Sequence, residues 1–150
     1  MRRWTSGVTV VSVNNHGVEH GMTVSSFTSV SLDPPLITIS LMKGSRTLEL
    51  ITGSNSFAIT ILSSEQTEIS NVFAGQISDN EDRFAGFETE RLASGSPVIN
   101  GGLAYLDCEV FEIYEFASNS LIIGEVIAAE VGELGKPLLY FDQHYHQLQE

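Results

Sequence analysis

A single cysteine, Cys108, stands in 150 residues, so no disulfide forms within the chain and no cysteine-based zinc site can be assembled. Basic residues are also scarce: 7 Lys and Arg face 19 Asp and Glu, a formal net charge of -12. Phosphate backbones and anionic lipid surfaces repel such a chain, which argues against nucleic acid and membranes as partners. No apolar run approaches the roughly 20 residues that span a bilayer. The opening MRRWTSGVTVVS carries two arginines without the apolar stretch and cleavage site of a secretory leader, and a cytoplasmic protein is expected. Gly-x-Ser-x-Gly elbows, Walker loops and Gly-x-Gly-x-x-Gly turns are absent as well. Within LAYLDCEVFEIY, Cys108 reads as a small core residue and not as a nucleophile.

What is present is mostly strand. With 42% hydrophobic and 17% charged residues, the chain has the composition of one globular domain over residues 1–150. GVTVVSV is β-branched and meets the turn sequence NNHG, after which VEHGMTVSSF resumes, so the two read as a hairpin. PLITISL is a nearly continuous apolar run, suited to a strand buried on both faces. SRTLELITGS predicts a short helix with Ser45 as N-cap and Gly53 as its stop. SFAITIL is a further strand, and SSEQTEISNVFAG predicts a helix with Ser63 and Gln66 at capping-box spacing and Gly75 at its end. The acidic stretch QISDNEDRFAGFE reads as an exposed loop. LAYLDCEVFEIYEF and NSLIIGEVIAAEV are long strands, and PLLYFDQHYHQL follows them. Many strands with hairpin-length connections and a few short helices indicate a mainly β, antiparallel barrel with helices packed outside.

The histidines fall in two pairs, His16 with His20 and His144 with His146. The second pair shares a strand face with Asp142, but no further metal ligand is identifiable, and solvated side chains are the better reading. The run Asp79 to Asp82 lacks the spaced ligands of a calcium loop and reads as a solvated turn.

Small hydroxyl residues carry most of the remaining signal. In HGMTVSSFTSVSL, an extended chain points Thr23, Ser25 and Phe27 one way and Val24, Ser26 and Thr28 the other, so hydroxyls occupy both faces. A flat heteroaromatic ring with a polar edge needs such a segment, and a plain edge strand decorated with Ser and Thr also fits it. Next in the chain, Lys43 and Arg46 flank Gly44 and Ser45 at a helix start. There the backbone amides, the hydroxyls of Ser45 and Thr47 and two positive charges can converge on one phosphate. Helix starts with Ser also occur without ligands, but this chain places two of its few basic residues here.

A ring-binding strand followed by a phosphate-binding helix start leads to a family. SGVTVVSVNNHGVEHGMTVSSFTSVSLDPPLITISL resembles the short-chain flavin reductases, NAD(P)H-dependent components that supply reduced flavin to two-component monooxygenases. SFAITILSSEQ, VFAG followed by RFAGF, GSPVINGGLAYLDCEV, IIGEV and PLLYFDQHYHQL stand in the family's order. The resemblance implies an FMN-binding split barrel that forms a homodimer, with Phe27, Tyr105 and Tyr140 as candidates for core or interface. It implies that Met22, Thr23, Val24, Ser25 and Ser26 line the isoalloxazine. Ser40, Leu41, Met42 and Lys43, with Ser45, Arg46 and Thr47, would hold the ribityl phosphate end. Phe73 and Arg83 fall in Phe-Ala and Arg-Phe elements near the distal flavin or over the site. FAD presents the same FMN portion, so either flavin suits these contacts, with NADH or NADPH as hydride donor.

The chain departs from the pattern in one place. Where many members carry Gly-Asp-His beside the arriving nicotinamide, this chain has Ala117, Ser118 and Asn119. An amide donates and accepts hydrogen bonds there but cannot carry a charge. Hydride passes directly between nicotinamide and flavin, so Asn119 is expected to act through orientation. Only MRRW precedes the first strand, so little of the family's N-terminal helix is expected. A flavoprotein or electron carrier of the same fold without reductase activity is the alternative, and a barrel without ligand ranks behind both.

Overall fold

The computed structural model describes residues 1–149. A short β1 (Ser6–Gly7) leads into β2 (Thr9–Asn15) and β3 (Val18–Val24), the expected hairpin. Its turn residues His16 and Gly17 both take positive φ, 51° and 90°, as a two-residue turn between right-twisted strands requires. β4 (Thr28–Leu32) and β5 (Pro35–Met42) form the next hairpin, then come α1 (Arg46–Ser54), β6 (Ser56–Ile61) and α2 (Thr67–Asn71), which runs on into a π-helical turn over Val72–Gln76. β7 (Thr89–Arg91) and β8 (Pro97–Ile99) make a small two-stranded ribbon. The long β9 (Ala104–Glu115) and β10 (Asn119–Val131) follow, and β11 (Leu138–Phe141) and β12 (His144–Gln147) close a three-stranded sheet with β1.

The main sheet runs β3-β2-β6-β9-β10-β5-β4, antiparallel at every pairing. It curls until β3 approaches β5, without a ladder between them. Ser26 bridges this gap: its Oγ accepts from Ser40 N–H at 2.9 Å and donates to the Ser40 carbonyl at 3.2 Å. The result is a mainly β, antiparallel split barrel flanked by short helices. Among the described residues no helix is long and apolar enough to cross a membrane.

β2 is buried on both faces from Thr9 to Val13. Val11 and Val13 face a core with Ile37, Ile39, Leu41, Phe57, Ile59, Cys108 and Ile122, which α1 seals with Leu50 and Ile51. Val8 and Val10 face a second core with Leu62, Ile69, Val72, Phe73, Phe84, Ile99 and Leu138. At Gly124 a Cβ would stand 2.6 Å from the Phe57 ring, so only glycine lets the strand pass this close.

Several expectations are corrected. PLITISL alternates: Ile37, Ile39 and Leu41 are buried while Leu36, Thr38 and Ser40 are half-buried, so it has one core face. The strand predicted to Phe27 ends at Val24, because the chain bends at Ser25 to start β4. Ser45 does cap α1, its Oγ accepting from Leu48 N–H at 3.4 Å, but the helix passes Gly53 and stops at Asn55, a left-handed residue at φ 59°. α2 starts at Thr67 and not at Ser63. Only half of the capping box forms, with Gln66 Oε1 accepting from Ser63 N–H at 3.0 Å. Ser63 is instead held in a bridge to Pro137. The acidic loop is anchored by two buried side chains, Arg83 and Phe84.

Cys108 sits inside the barrel, and burial, with the neighbouring Asp107 charge, pushes its thiol up to about 12. A thiol so raised is inert: Ellman's reagent is expected to leave the native protein unlabelled at pH 8 and to titrate one thiol only after unfolding. Rapid labelling of the native state would contradict this packing.

Candidate active site

A cleft of about 360 Å³ opens between β3, the start of α1, the π-helical turn and the C-terminal hairpin. β3 contributes His20, Met22 and Thr23, and α1 contributes Ser45, Arg46 and Thr47. Phe73, Ala74 and Gly75 come from the turn, Asp79 and Arg83 from the loop after it, and Tyr140 and Tyr145 from β11 and β12. The elements are tied together across the cleft. Thr23 Oγ1 donates to the Ser70 carbonyl at 2.7 Å, and Ser70 Oγ pairs with the Tyr145 hydroxyl at 2.7 Å. Phe73 packs edge-on against Phe84 with ring centroids 4.9 Å apart. Gly21 lets that ring lie against β3, since a Cβ there would meet Phe73 Cε1 at 3.0 Å.

One end of the cleft gathers hydrogen-bond donors and a positive charge. Ser45 Oγ satisfies Leu48 N–H, and Glu49 N–H goes to the Ser45 carbonyl, so Arg46 and Thr47 carry the free amides of the first turn. The Arg46 side chain is exposed and has no hydrogen-bond or ion-pair partner among the described residues. The other end, with Met22, Phe73 and Tyr140 beside the hydroxyls of Thr23 and Ser25, suits a flat ring with a polar rim.

Arg83 holds the loop wall in place. It is buried, and its Nε donates to the Ile77 carbonyl at 3.0 Å, Nη1 to the Gly21 carbonyl at 3.0 Å and the Phe73 carbonyl at 3.4 Å, and Nη2 to Asp79 Oδ1 at 2.7 Å. Replacing Arg83 with Met leaves these buried carbonyls unpaired and is expected to cost about 1–3 kcal/mol in urea unfolding. A variant as stable as the parent would show that water satisfies them.

His20, which the sequence reading set aside as one of a pair, is buried in the cleft wall at 4% exposure. Its Nδ1 lies 2.8 Å from Thr47 Oγ1. Nε2 lies 3.3 Å from Asp79 Oδ1 without completing a hydrogen bond. Burial holds the imidazole below its ordinary value of 6.5; Arg83 and Arg46 push it the same way, and Asp79 opposes them. A depressed histidine takes its proton later in the folded chain than in the unfolded one. Its stabilising contribution is therefore complete above about pH 6.5 and is lost as pH falls through the window below it. Melting temperatures between about pH 8 and pH 5 are expected to show this acid-side loss in the parent and less of it in His20→Gln. Parallel profiles would remove His20 from the balance.

Of the residues singled out in the sequence, Met22, Thr23, Ser25, Ser45, Arg46, Thr47, Phe73 and Arg83 line this one cleft. Val24 and Leu41 direct their side chains into the core. Ser40 and Ser26 stitch the split of the barrel, and Ser26 lines a neighbouring cleft of about 650 Å³ with Trp4 and Phe27. Lys43 stands outside both clefts with its Nζ 3.7 Å from Glu115 Oε2. Asn119 opens β10 outside both clefts, where its Nδ2 donates to Ser40 Oγ at 3.2 Å and its Oδ1 accepts from Ser118 Oγ at 2.9 Å. Sequence reasoning missed His20, Asp79, Tyr140 and Tyr145 as parts of the site. For His20 a signal existed: on the strand it shares the parity of Met22 and Val24. The two tyrosines come together only through the β11–β12 hairpin, with ring centroids 5.5 Å apart.

Comparison with known proteins defines the class of this barrel. Residues 1–149 match the family described as flavin reductase like domain. The reductase component of 4-hydroxyphenylacetate 3-monooxygenase from Thermus thermophilus is 32% identical over 99% of this chain and 92% of that protein. The NADH-dependent flavin reductase StyB of Pseudomonas fluorescens is 34% identical over 95% of this chain and 83% of that protein. The solved structure of flavin reductase PheA2 superposes with a TM-score of 0.90 at 38% identity, over all of this chain and 94% of the other. The protein is thus an oxidoreductase acting on flavin. It belongs to the flavin reductase-like family.

Proposed function

We propose that the cleft holds FMN with its phosphate at the start of α1 and its ring along β3, receives hydride from NADH or NADPH, and passes reduced flavin to a monooxygenase partner. The observation that carries this is the single cleft joining a partnerless Arg46 and free helix amides at one end to Met22, Phe73 and Tyr140 at the other. The flavin, when bound, supplies the hydride chemistry. The chain's own residues do the rest: Arg46, Ser45 and the α1 amides fix the phosphate, Ser25 offers its hydroxyl and Thr23 its oxygen lone pairs to the ring edge, and Phe73 and Tyr140 keep water off its faces. FAD carries the same FMN portion and is served by the same groups.

Names of relatives support the finer points, one being NADH-dependent and another the reductase component of a monooxygenase. Replacing Arg46 with Ala is expected to weaken FMN binding by about 1–3 kcal/mol, the scale of a lost charge-assisted hydrogen bond, and to leave riboflavin unaffected. Lys43→Ala is expected to do less, since Lys43 pairs with Glu115 outside the cleft. Equal losses for FMN and riboflavin would rule out the phosphate assignment. Anaerobic bleaching of bound flavin by NADH separates a reductase from an electron carrier.

Asn119 enters this reading as a neutral hydrogen-bonding group on the approach of the nicotinamide, anchored through Ser40 to the split between β3 and β5. Asn119→Ala is expected to slow that bleaching while FMN affinity holds. A lower melting temperature with an unchanged rate would reduce Asn119 to a turn residue. A homodimer belongs to the same proposal. Tyr105 is interior, with its hydroxyl accepting from Gly102 N–H, and Phe27 packs against the first core. Among the exposed apolar side chains, Val30, Leu32 and Met42 lie on β4 and β5, and Phe111, Tyr114 and Phe116 at the turn end of the β9–β10 hairpin. These elements are neighbours in the sheet order, and light scattering at micromolar concentration reads the mass directly.

A further inference from the structure

The cleft's phosphate end contains a hydroxyl that cannot serve an anion as it stands. Thr47 is 1% exposed and lies in the first turn of α1, where its Oγ1 faces His20 Nδ1 at 2.8 Å. A hydroxyl has one hydrogen. If His20 Nδ1 bears no proton, Thr47 donates to it and presents only lone pairs to the cleft. If Nδ1 bears the proton, His20 donates and the Thr47 hydrogen is free for a ligand oxygen.

The other ring nitrogen decides between these arrangements. His20 Nε2 is buried without a hydrogen-bond partner and faces Asp79 Oδ1 at 3.3 Å, an oxygen already held by Arg83 Nη2 at 2.7 Å. A lone pair on Nε2 would confront that carboxylate, so the neutral ring carries its proton on Nε2 and accepts from Thr47 at Nδ1. Only the doubly protonated ring donates at both ends, to Asp79 and to Thr47, and releases the Thr47 hydrogen toward the cleft. Burial and the charges of Arg83 and Arg46 oppose that second proton, and Asp79 favours it. A phosphate dianion beside Arg46 offsets both charges.

We propose that a phosphorylated flavin enters this cleft together with one proton from solvent, taken up at His20 Nδ1, so that Thr47 becomes a donor to the phosphate. The one bond formed is Nδ1–H, made with the proton from solvent, and the Thr47 O–H bond only turns. The Thr47 hydrogen leaves His20 for a phosphate oxygen, and the new proton occupies the Nδ1 to Oγ1 contact. His20 is thereby a positioning residue that acts through Thr47, and the inference rests on the phosphate end of the proposed FMN site.

The test is isothermal titration of the protein with FMN and with riboflavin at pH 7.5, in two buffers of different ionisation enthalpy. FMN is expected to bind with proton uptake approaching one and riboflavin with none. FMN affinity is then expected to rise toward tenfold per unit as pH falls from about 8.5 to 7, above the range of the phosphate's own second ionisation near 6. His20→Gln, whose amide donates to Thr47 at any pH, is expected to bind FMN without uptake, and Thr47→Val to bind it more weakly, also without uptake. Imidazole ¹⁵N shifts of the unmutated protein give the same answer without a variant: the buried histidine is expected to pass from the Nε2–H tautomer to the imidazolium on adding FMN. FMN bound in preference to riboflavin with no uptake and a neutral His20 would overturn the proton coupling and leave the phosphate site standing. FMN and riboflavin bound alike would overturn both.

Discussion

Arg83 makes the cleft a cleft. Its guanidinium reaches acceptors on three separate pieces of chain, the Gly21 carbonyl of β3, the Phe73 carbonyl of the π-helical turn, and Ile77 with Asp79 in the loop beyond. A planar fork with five donors can do this from one buried position, which a lysine cannot. The wall it fixes sets Phe73 against Gly21 and brings Asp79 beside His20.

Arg83 and Arg46 are the two arginines that line the cleft. Arg83 is consumed in structure, whereas Arg46, exposed at the start of α1, has no side-chain partner among the described residues. In a protein of net charge -12 the proposed phosphate end depends on a few local donors working against the overall field. Helix amides, the Ser45 hydroxyl and one guanidinium concentrate those donors within a single turn, where the helix dipole adds to them.

The barrel supplies the rigid background. β2 is buried on both faces and so belongs to two cores at once, which fixes β3 in its hairpin register, Val10 opposite Thr23 and Val11 opposite Met22. Curling the seven strands brings β3 next to β5, and Ser26 bridges the gap with its bonds to Ser40. The line Ser26–Ser40–Asn119 then connects the edge of the cleft region to the start of β10 through three hydrogen bonds. Side chains far apart in sequence become parts of one surface.

The sequence by itself determined the strand-rich architecture, the β2–β3 hairpin through its NNHG turn, the Ser45 cap of α1 and the gathering of Ser45, Arg46 and Thr47, because β-branching, turn chemistry and capping act over a few residues. Eight of the residues it marked lie in one cleft. It misjudged what depends on distant partners: PLITISL has the apolar content of a strand buried on both faces, but Ser40 and Thr38 face the half-exposed side of a curled sheet. Gly53 has the local character of a helix stop, but α1 runs on to Asn55, whose left-handed backbone returns its N–H to the Ile51 carbonyl at 2.8 Å. Only the tertiary structure decided that Lys43 turns to Glu115, that Tyr140 and Tyr145 close the cleft from the chain's far end, and that His20 sits between Thr47 and Asp79. Those contacts join residues separated by 27 to 75 positions, and no local rule of propensity or periodicity reaches across such a span; the closure of the barrel does.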